Sequence, residues 1–212
     1  MNEDNKNIQA EETEQITEST SNQKSLTKTI IEFLSVIATS IVAIMFIFTF
    51  VFRIVGVSGP SMMNTLHDGD WLVVSAFITE PERGDIVIIT QPNALTNDSN
   101  GESTPIVKRV IAVGGDTIDI DFATATVKVN GKVIDEPYLG SATINAPAEG
   151  GWEYPLTLKE GQVFVMGDNR QHSSDSRSPA IGLIDEDYIL GQVLFRFSPI
   201  TDFKFFGDYD YE

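Results

Sequence analysis

Two residues in this chain could do chemistry together, Ser61 and Lys108. Ser61 stands in Ser58-Gly59-Pro60-Ser61-Met62-Met63-Asn64-Thr65-Leu66, where Gly59 and Pro60 punctuate the backbone and present the hydroxyl on a turn. A serine is a weak nucleophile until a base takes its proton. Cysteine is absent, which removes thiol catalysis, disulfides and cysteine metal sites together. The two histidines, His67 and His172, each lie in a polar, turn-like stretch; Ser61, His172 and Asp175 can be written as a triad, but no spacing supports it. The other candidate base is Lys108, in Pro105–Val113, the most apolar strand-like run after residue 53. With period-two alternation Ile106, Lys108 and Val110 share one face, and Val107, Arg109 and Ile111 the other. The amine either follows its stem out to water or is desolvated and loses its charge.

Burial must achieve a definite amount for the second reading to hold. A free lysine is neutral in only about one molecule in a few thousand at pH 7. Lowering its pKa by roughly two to three units makes the neutral amine plentiful and requires about 3–4 kcal/mol, within reach of an apolar pocket. Lysine acts as a base in this way, and Ser-Lys is a known variant of the triad logic. A third stretch, Gly167-Asp168-Asn169-Arg170-Gln171-His172-Ser173-Ser174-Asp175-Ser176-Arg177, packs acids, arginines and serines together. Alone it reads as a polar surface loop with Asx turns and a salt bridge. Its density of hydrogen-bonding groups also suits it to ordering other groups.

The elements that must hold these residues follow from composition and pattern. The chain has 212 residues, 14 Lys+Arg against 31 Asp+Glu and a formal net charge of −17. So acidic a protein lacks the basic patches that nucleic-acid binding needs. Residues 1–28 are polar and acidic and predict a disordered, cytoplasmic tail. Phe33 to Phe52 carries no charge and, as a helix, spans about 30 Å, the thickness of the hydrocarbon core. It is too long for the apolar segment of a cleaved signal peptide and is followed by Phe52-Arg53-Ile54 rather than a small-residue site. Residues 29–53 are therefore expected to form an uncleaved membrane anchor. Lys6, Lys24 and Lys28 on one flank against Arg53 on the other place the N-terminus in the cytoplasm and the remainder outside it.

Residues 54–200 read as a mostly antiparallel β domain with long loops, possessing no convincing helical period. Strands are expected at Trp71–Phe77, Asp85–Thr90, Pro105–Val113, Asp116–Asp121, Thr124–Asn130, Gln162–Met166 and Tyr188–Phe197, with a type I′ hairpin at Asn130-Gly131. Residues 91–104 have linker composition and predict a mobile excursion, 140–151 a loop, and 201–212 an acidic, aromatic C-terminal tail.

Four segments in order behind a membrane run carry a resemblance: Ser61-Met62 after Gly-Pro; Arg83-Gly84-Asp85-Ile86-Val87; Val107-Lys108-Arg109-Val110-Ile111 with Gly114-Gly115-Asp116; and Gly167-Asp168-Asn169 through Ser173-x-Asp175-Ser176-Arg177. Over roughly residues 30–200 the chain resembles the bacterial type I signal peptidases, in their short Gram-positive form with one membrane span. The resemblance implies a serine endopeptidase that removes signal peptides from secretory preproteins at the lipid bilayer, with small residues before the cut and no metal or cofactor. It implies that Ser61 attacks and Lys108 is the general base, with Ser173 orienting the amine. It pairs Asp175 with Arg177 and Asp168 with Arg109, and puts the oxyanion on the Ser61 N–H with a second donor from the preceding turn. Some members carry a serine two residues before the nucleophile, where this chain has Gly59. The usual Met-x-Pro-Thr-Leu reads Met62-Met63-Asn64-Thr65-Leu66 here, so Asn64 is expected to loosen a turn without removing a catalytic group. Met62 and Met63 line shallow substrate pockets, touch lipid or fill space. Two other readings are an inactive anchored β domain that binds signal sequences, and a self-cleaving Ser-Lys protease of the repressor type. The membrane run and missing DNA-binding helices argue against the latter.

Overall fold

The computed structural model describes residues 28–76, 80–97, 103–141, 144–146 and 150–207, so the predicted tail (except Lys28) lies outside the described residues. It divides into two units, residues 1–49 and 50–212. In the first, Lys28–Phe50 is one helix (α1), long and apolar enough to cross a membrane and exposed along its length. Four of its hydroxyls bond within the helix: Ser35 donates to Glu32 O, Thr39 to Ser35 O, Ser40 to Val36 O and Thr49 to Met45 O. Such back-bonding keeps these hydroxyls paired on an apolar helix.

The second unit is β throughout, apart from two short 3₁₀ turns. Its strands are β1 (Phe52–Gly56), β2 (Trp71–Ser75), β3 (Ile86–Ile89), β4 (Thr96–Asn97), β5 (Ser103–Thr104), β6 (Ile106–Ala112), β7 (Thr117–Asp121), β8 (Thr126–Val129), β9 (Lys132–Val133), β10 (Leu156–Thr157), β11 (Gln162–Met166), β12 (Ile184–Asp185), β13 (Ile189–Ser198) and β14 (Lys204–Phe205). A main sheet runs β1-β2-β13-β3-β6-β11-β12, with β14 also on β13. A smaller sheet, β10-β7-β8-β9, has its own core around Ile118, Ile120, Val127 and Val129. Every strand pairing is antiparallel.

β6 is covered on both edges, by β3 and β11, and its apolar side chains are almost all buried. Burial of side chains on both faces, not the paired edges, is why its sequence is apolar on both faces rather than alternating. The hairpin at Asn130-Gly131 forms as expected, with φ of 54° and 79°.

Three local expectations are corrected. The apolar run does not continue as helix to Phe52: α1 ends at Phe50, and Phe52-Arg53-Ile54-Val55-Gly56 forms β1 in register with β2. Aromatic and β-branched residues serve a strand as well as a membrane helix, and the ladder with β2 decides. Residues 91–97 and 103–104 are not a bare excursion. β4 pairs with β5, and the Gln91 side chain donates to Leu183 O and accepts from Asp185 N, an amide standing in for a ladder; residues 98–102 lie outside the described residues. Third, the main sheet runs past residue 200, because β14 pairs with Phe195 and Arg196 of β13.

Arg196 fastens β13 to the turn that carries Ser61. Its guanidinium reaches Asp70 Oδ2 at 2.7 Å, Thr65 O at 3.1 Å and Asp202 O at 2.8 Å, and both Arg196 and Asp70 are buried. Removing one partner of a buried pair strands the other charge. Arg196→Met is expected to lower stability by about 3–5 kcal/mol in urea unfolding followed by tryptophan fluorescence.

Candidate active site

Ser61 and Lys108 meet at one end of a cleft of about 490 Å³. The Gly59-Pro60-Ser61 turn leaves β1 with Gly59 at φ +90°, a conformation that side chains with a Cβ rarely adopt. Its N–H donates to Asp68 Oδ1 at 2.9 Å, so Gly59 shapes the turn but offers no donor to a ligand. Ser61 opens a helical turn closed by Met63 N–H to Pro60 O and Leu66 N–H to Met62 O. Met62 packs into the core with Leu66 and Leu72 while lining the cleft; Met63 is exposed and lines nothing there, which corrects its expected place beside the substrate. Asn64 has φ +83°, which the ring of proline forbids and asparagine tolerates. Proline could not take the place of Asn64 in the turn as it stands here.

β6 brings Lys108 to that turn, opposite Val87 of β3. Lys108 Nζ lies 2.8 Å from Ser61 Oγ and 2.9 Å from Val107 O, and the residue is 3% exposed. Burial lowers its pKa from 10.5 to about 8; the charges of Asp175 and Asp168 oppose the shift and that of Arg177 favours it. Each of the two carboxylates is occupied by an arginine. Asp168 accepts Arg109 Nε at 2.9 Å and Nη2 at 2.7 Å, and Thr65 Oγ1 at 2.5 Å. Asp175 accepts Arg177 Nε at 2.7 Å and Nη2 at 2.9 Å, and Gly167 N–H at 3.0 Å. Burial pushes the Asp175 carboxyl up, but the bonds and charge of Arg177 outweigh it and hold the carboxyl below its ordinary range.

Both arginine pairs that the resemblance implied are formed. Ser173 differs. Its Oγ is buried without a hydrogen-bond partner among the described residues and lies against Gly167. Lys108 bonds instead to Ser61 and Val107, so the expected Ser173–Lys108 bond is absent; the Ser173 hydroxyl only helps to hold the Asp175 charge from beyond ordinary bonding geometry. Gly167 must be glycine here, because a Cβ would overlap the Ser173 side chain and the Ser61 carbonyl oxygen.

The structure also brings in residues that the sequence did not single out. Asn169 donates from its backbone N–H to Ser61 O and from Nδ2 to Pro60 O. Arg170 donates to Gly167 O and pairs with Glu136, which accepts the Tyr138 hydroxyl. The Arg109 guanidinium stacks 4.0 Å over the Tyr138 ring. Asn169 and Arg170 lie within the polar loop flagged by composition. Glu136 and Tyr138 follow the small hairpin and carry no local signal of their contact with the site. His67 is exposed and does not line the cleft; His172 is exposed and lines it.

The signature described as signal peptidase, peptidase S26, matches residues 30–198. The chain belongs to this family. It is 38% identical over 180 residues to the signal peptidase I of Bacillus licheniformis, covering 82% of this chain and 91% of that one. It is 38% identical over 197 residues to signal peptidase I T of Bacillus subtilis (strain 168), covering 89% and 94%. It is 34% identical over 193 residues to signal peptidase IB of Staphylococcus aureus (strain MRSA252), covering 84% and 94%. A solved signal peptidase I from Enterococcus faecalis V583 is 28% identical, with a TM-score of 0.40 over 55% of this chain and 98% of that one. Family membership makes the chain a peptidase.

The Lys108 pKa has a consequence for stability. The folded value, about 8, is below the ordinary 10.5, so the folded state binds the proton more weakly than the unfolded chain. Below pH 8 the buried charge destabilises the fold by roughly 3 kcal/mol; the penalty shrinks as pH rises through 8 to 10.5 and then vanishes. Lys108→Met is therefore expected to be up to about 3 kcal/mol more stable than the parent at pH 6–7, with the gain gone above about pH 10.5, measured by urea unfolding across pH.

Proposed function

We propose that the protein is a membrane-anchored serine endopeptidase that cuts signal peptides from exported preproteins, with Ser61 as nucleophile and neutral Lys108 as general base. The observation that carries this reading is the 2.8 Å approach of a buried amine, its pKa lowered by burial, to a turn-borne hydroxyl in an apolar cleft. Lys108 Nζ takes the hydroxyl proton as Ser61 Oγ attacks the scissile carbonyl, and returns it to the departing amine. A water then gives a proton to Lys108 Nζ as it attacks the acyl carbon, and Lys108 returns that proton to Ser61 Oγ as the ester bond breaks and the acyl group leaves as the acid. The negative oxygen of each tetrahedral intermediate rests on the Ser61 N–H, which meets no acceptor among the described residues. Arg109 with Asp168, and Arg177 with Asp175, hold the lysine strand and the polar loop in place.

The substrate fits as an extended strand along the segments 55–60 and 104–108, both of which line the cleft. Met62, Val57, Ile106, Val107 and Leu190 give the cleft an apolar surface that suits small side chains before the cut. α1 anchors the chain in the lipid bilayer as a single span. The lysines on its N-terminal side put that end in the cytoplasm and the β unit outside it. Ser61 is then no more than roughly 38 Å along the chain from the end of α1 at Phe50, near the surface where a signal peptide emerges. Residues 29–53, 54–200 and 201–212 serve in this scheme as anchor and connector, catalytic body and closing tail.

Cleavage of a synthetic signal peptide by the full chain in detergent tests the proposal. Ser61→Ala and Lys108→Ala are each expected to abolish cleavage. For the parent, kcat/KM should rise about tenfold per pH unit below 8 and level off above it, as the lysine loses its proton. Retained cleavage in either variant rules out the dyad.

A further inference from the structure

We infer that Asn169 is a positioning residue that aims the Ser61 N–H and, with it, the Ser61 hydroxyl; this rests on the reading of Ser61 as the nucleophile. Asn169 touches both peptide groups that flank the Ser61 α-carbon. Its backbone N–H donates to Ser61 O at 3.0 Å, and its side-chain Nδ2 donates to Pro60 O at 3.1 Å. The Pro60 carbonyl belongs to the same peptide group as the Ser61 N–H. That bond is trans, since the only cis peptides among the described residues are Tyr154-Pro155 and Ser198-Pro199. In a planar trans peptide the C=O and N–H point in opposite directions. Fixing the Pro60 oxygen from one side therefore directs the Ser61 N–H to the other, and that N–H meets no acceptor among the described residues. Met63 N–H, at 3.0 Å, is the second donor to the same carbonyl, so the group is held at two points.

The orientation of the Asn169 amide follows from its neighbours. Pro60 O can only accept, so the amide nitrogen faces it and Oδ1 faces His172 Nδ1 at 3.3 Å. That contact calls for the tautomer of His172 with its proton on Nδ1, and His172 N–H closes the turn onto Asn169 O at 3.0 Å. His172 lines the same cleft as Ser61. The Asn169 side-chain bonds lie where water can replace them, so their removal disturbs the aim of the turn far more than the fold.

The test uses the full chain in detergent with a synthetic signal peptide, and a peptide boronate as transition-state mimic. The boronate adds Ser61 Oγ to boron, the hydroxyl proton passing to Lys108, and sets a negatively charged oxygen on the Ser61 N–H. Asn169→Ala removes the donor to Pro60 O; Asn169→Asp keeps an acceptor toward His172 but turns an oxygen toward Pro60 O. Both variants are expected to lose about tenfold or more in kcat, a fraction of the loss on deleting an oxyanion donor outright. KM should stay within about twofold, boronate affinity should fall by the same factor as kcat, and the midpoint of the pH profile should stay near 8. Tm should move by no more than about 3 °C. Unchanged kcat, a change confined to KM, or a fall in kcat with boronate affinity intact overturns the inference about Asn169 alone. A parent chain that neither cleaves the peptide nor binds the boronate overturns the nucleophile reading as well, since there is then nothing for Asn169 to aim.

Discussion

The site depends on keeping an amine out of water without giving it a carboxylate of its own. Lys108 has two acids near enough to feel, Asp168 and Asp175, and either one unpaired would hold the proton on the lysine. Neither is unpaired. Asp168 is filled by Arg109 and Thr65, and Asp175 by Arg177 and Gly167. The arginines do more than brace the loop: they absorb the negative charge that would otherwise stabilise the ammonium. What remains for Lys108 is a serine oxygen and one backbone carbonyl.

This arrangement explains why β6 is the inner strand it is. A lysine on an edge strand could swing its stem to solvent. β6 has β3 on one side and β11 on the other, and the end of β11 leads directly into Gly167 and Asp168. The strand that buries the amine thus also pairs with the strand that delivers the polar loop. Gly167 allows that loop to press against Ser61 O and Ser173, and Asp168 ties it to both Arg109 on β6 and Thr65 on the serine turn. A second tie runs from Arg170 to Glu136 and Tyr138, so the segment after the small hairpin is fastened to the same loop.

The sequence carried those parts of this picture that rest on local chemistry. Lysine inside an apolar run, serine after Gly-Pro and the crowded Gly167–Arg177 loop were each visible, and so were the Asn130-Gly131 hairpin and the mostly antiparallel β class. Resemblance supplied the arginine pairings that spacing alone left open. β1 was hidden because Phe52 to Val55 continue an apolar helix without a break in composition, and only pairing with Trp71–Ser75 tells them apart. Asn64 was hidden because a left-handed φ leaves no mark on its neighbours. Glu136 and Tyr138 were hidden because they are ordinary turn residues until the chain folds back on Arg170 and Arg109. The role expected of Ser173 toward the lysine came from resemblance, and its hydroxyl sits instead against Gly167.

The most direct measurement is the titration of the Lys108 amine itself, in Ser61→Ala protein labelled at the lysine side chains and followed by NMR, with Lys108→Met used to assign the signal. A pKa near 8, clearly apart from the other lysines, is the expected result. An amine that titrates with them near 10.5 would contradict the account, because such a lysine is neutral in only about one molecule in a few thousand at pH 7, too rarely to take the proton of Ser61.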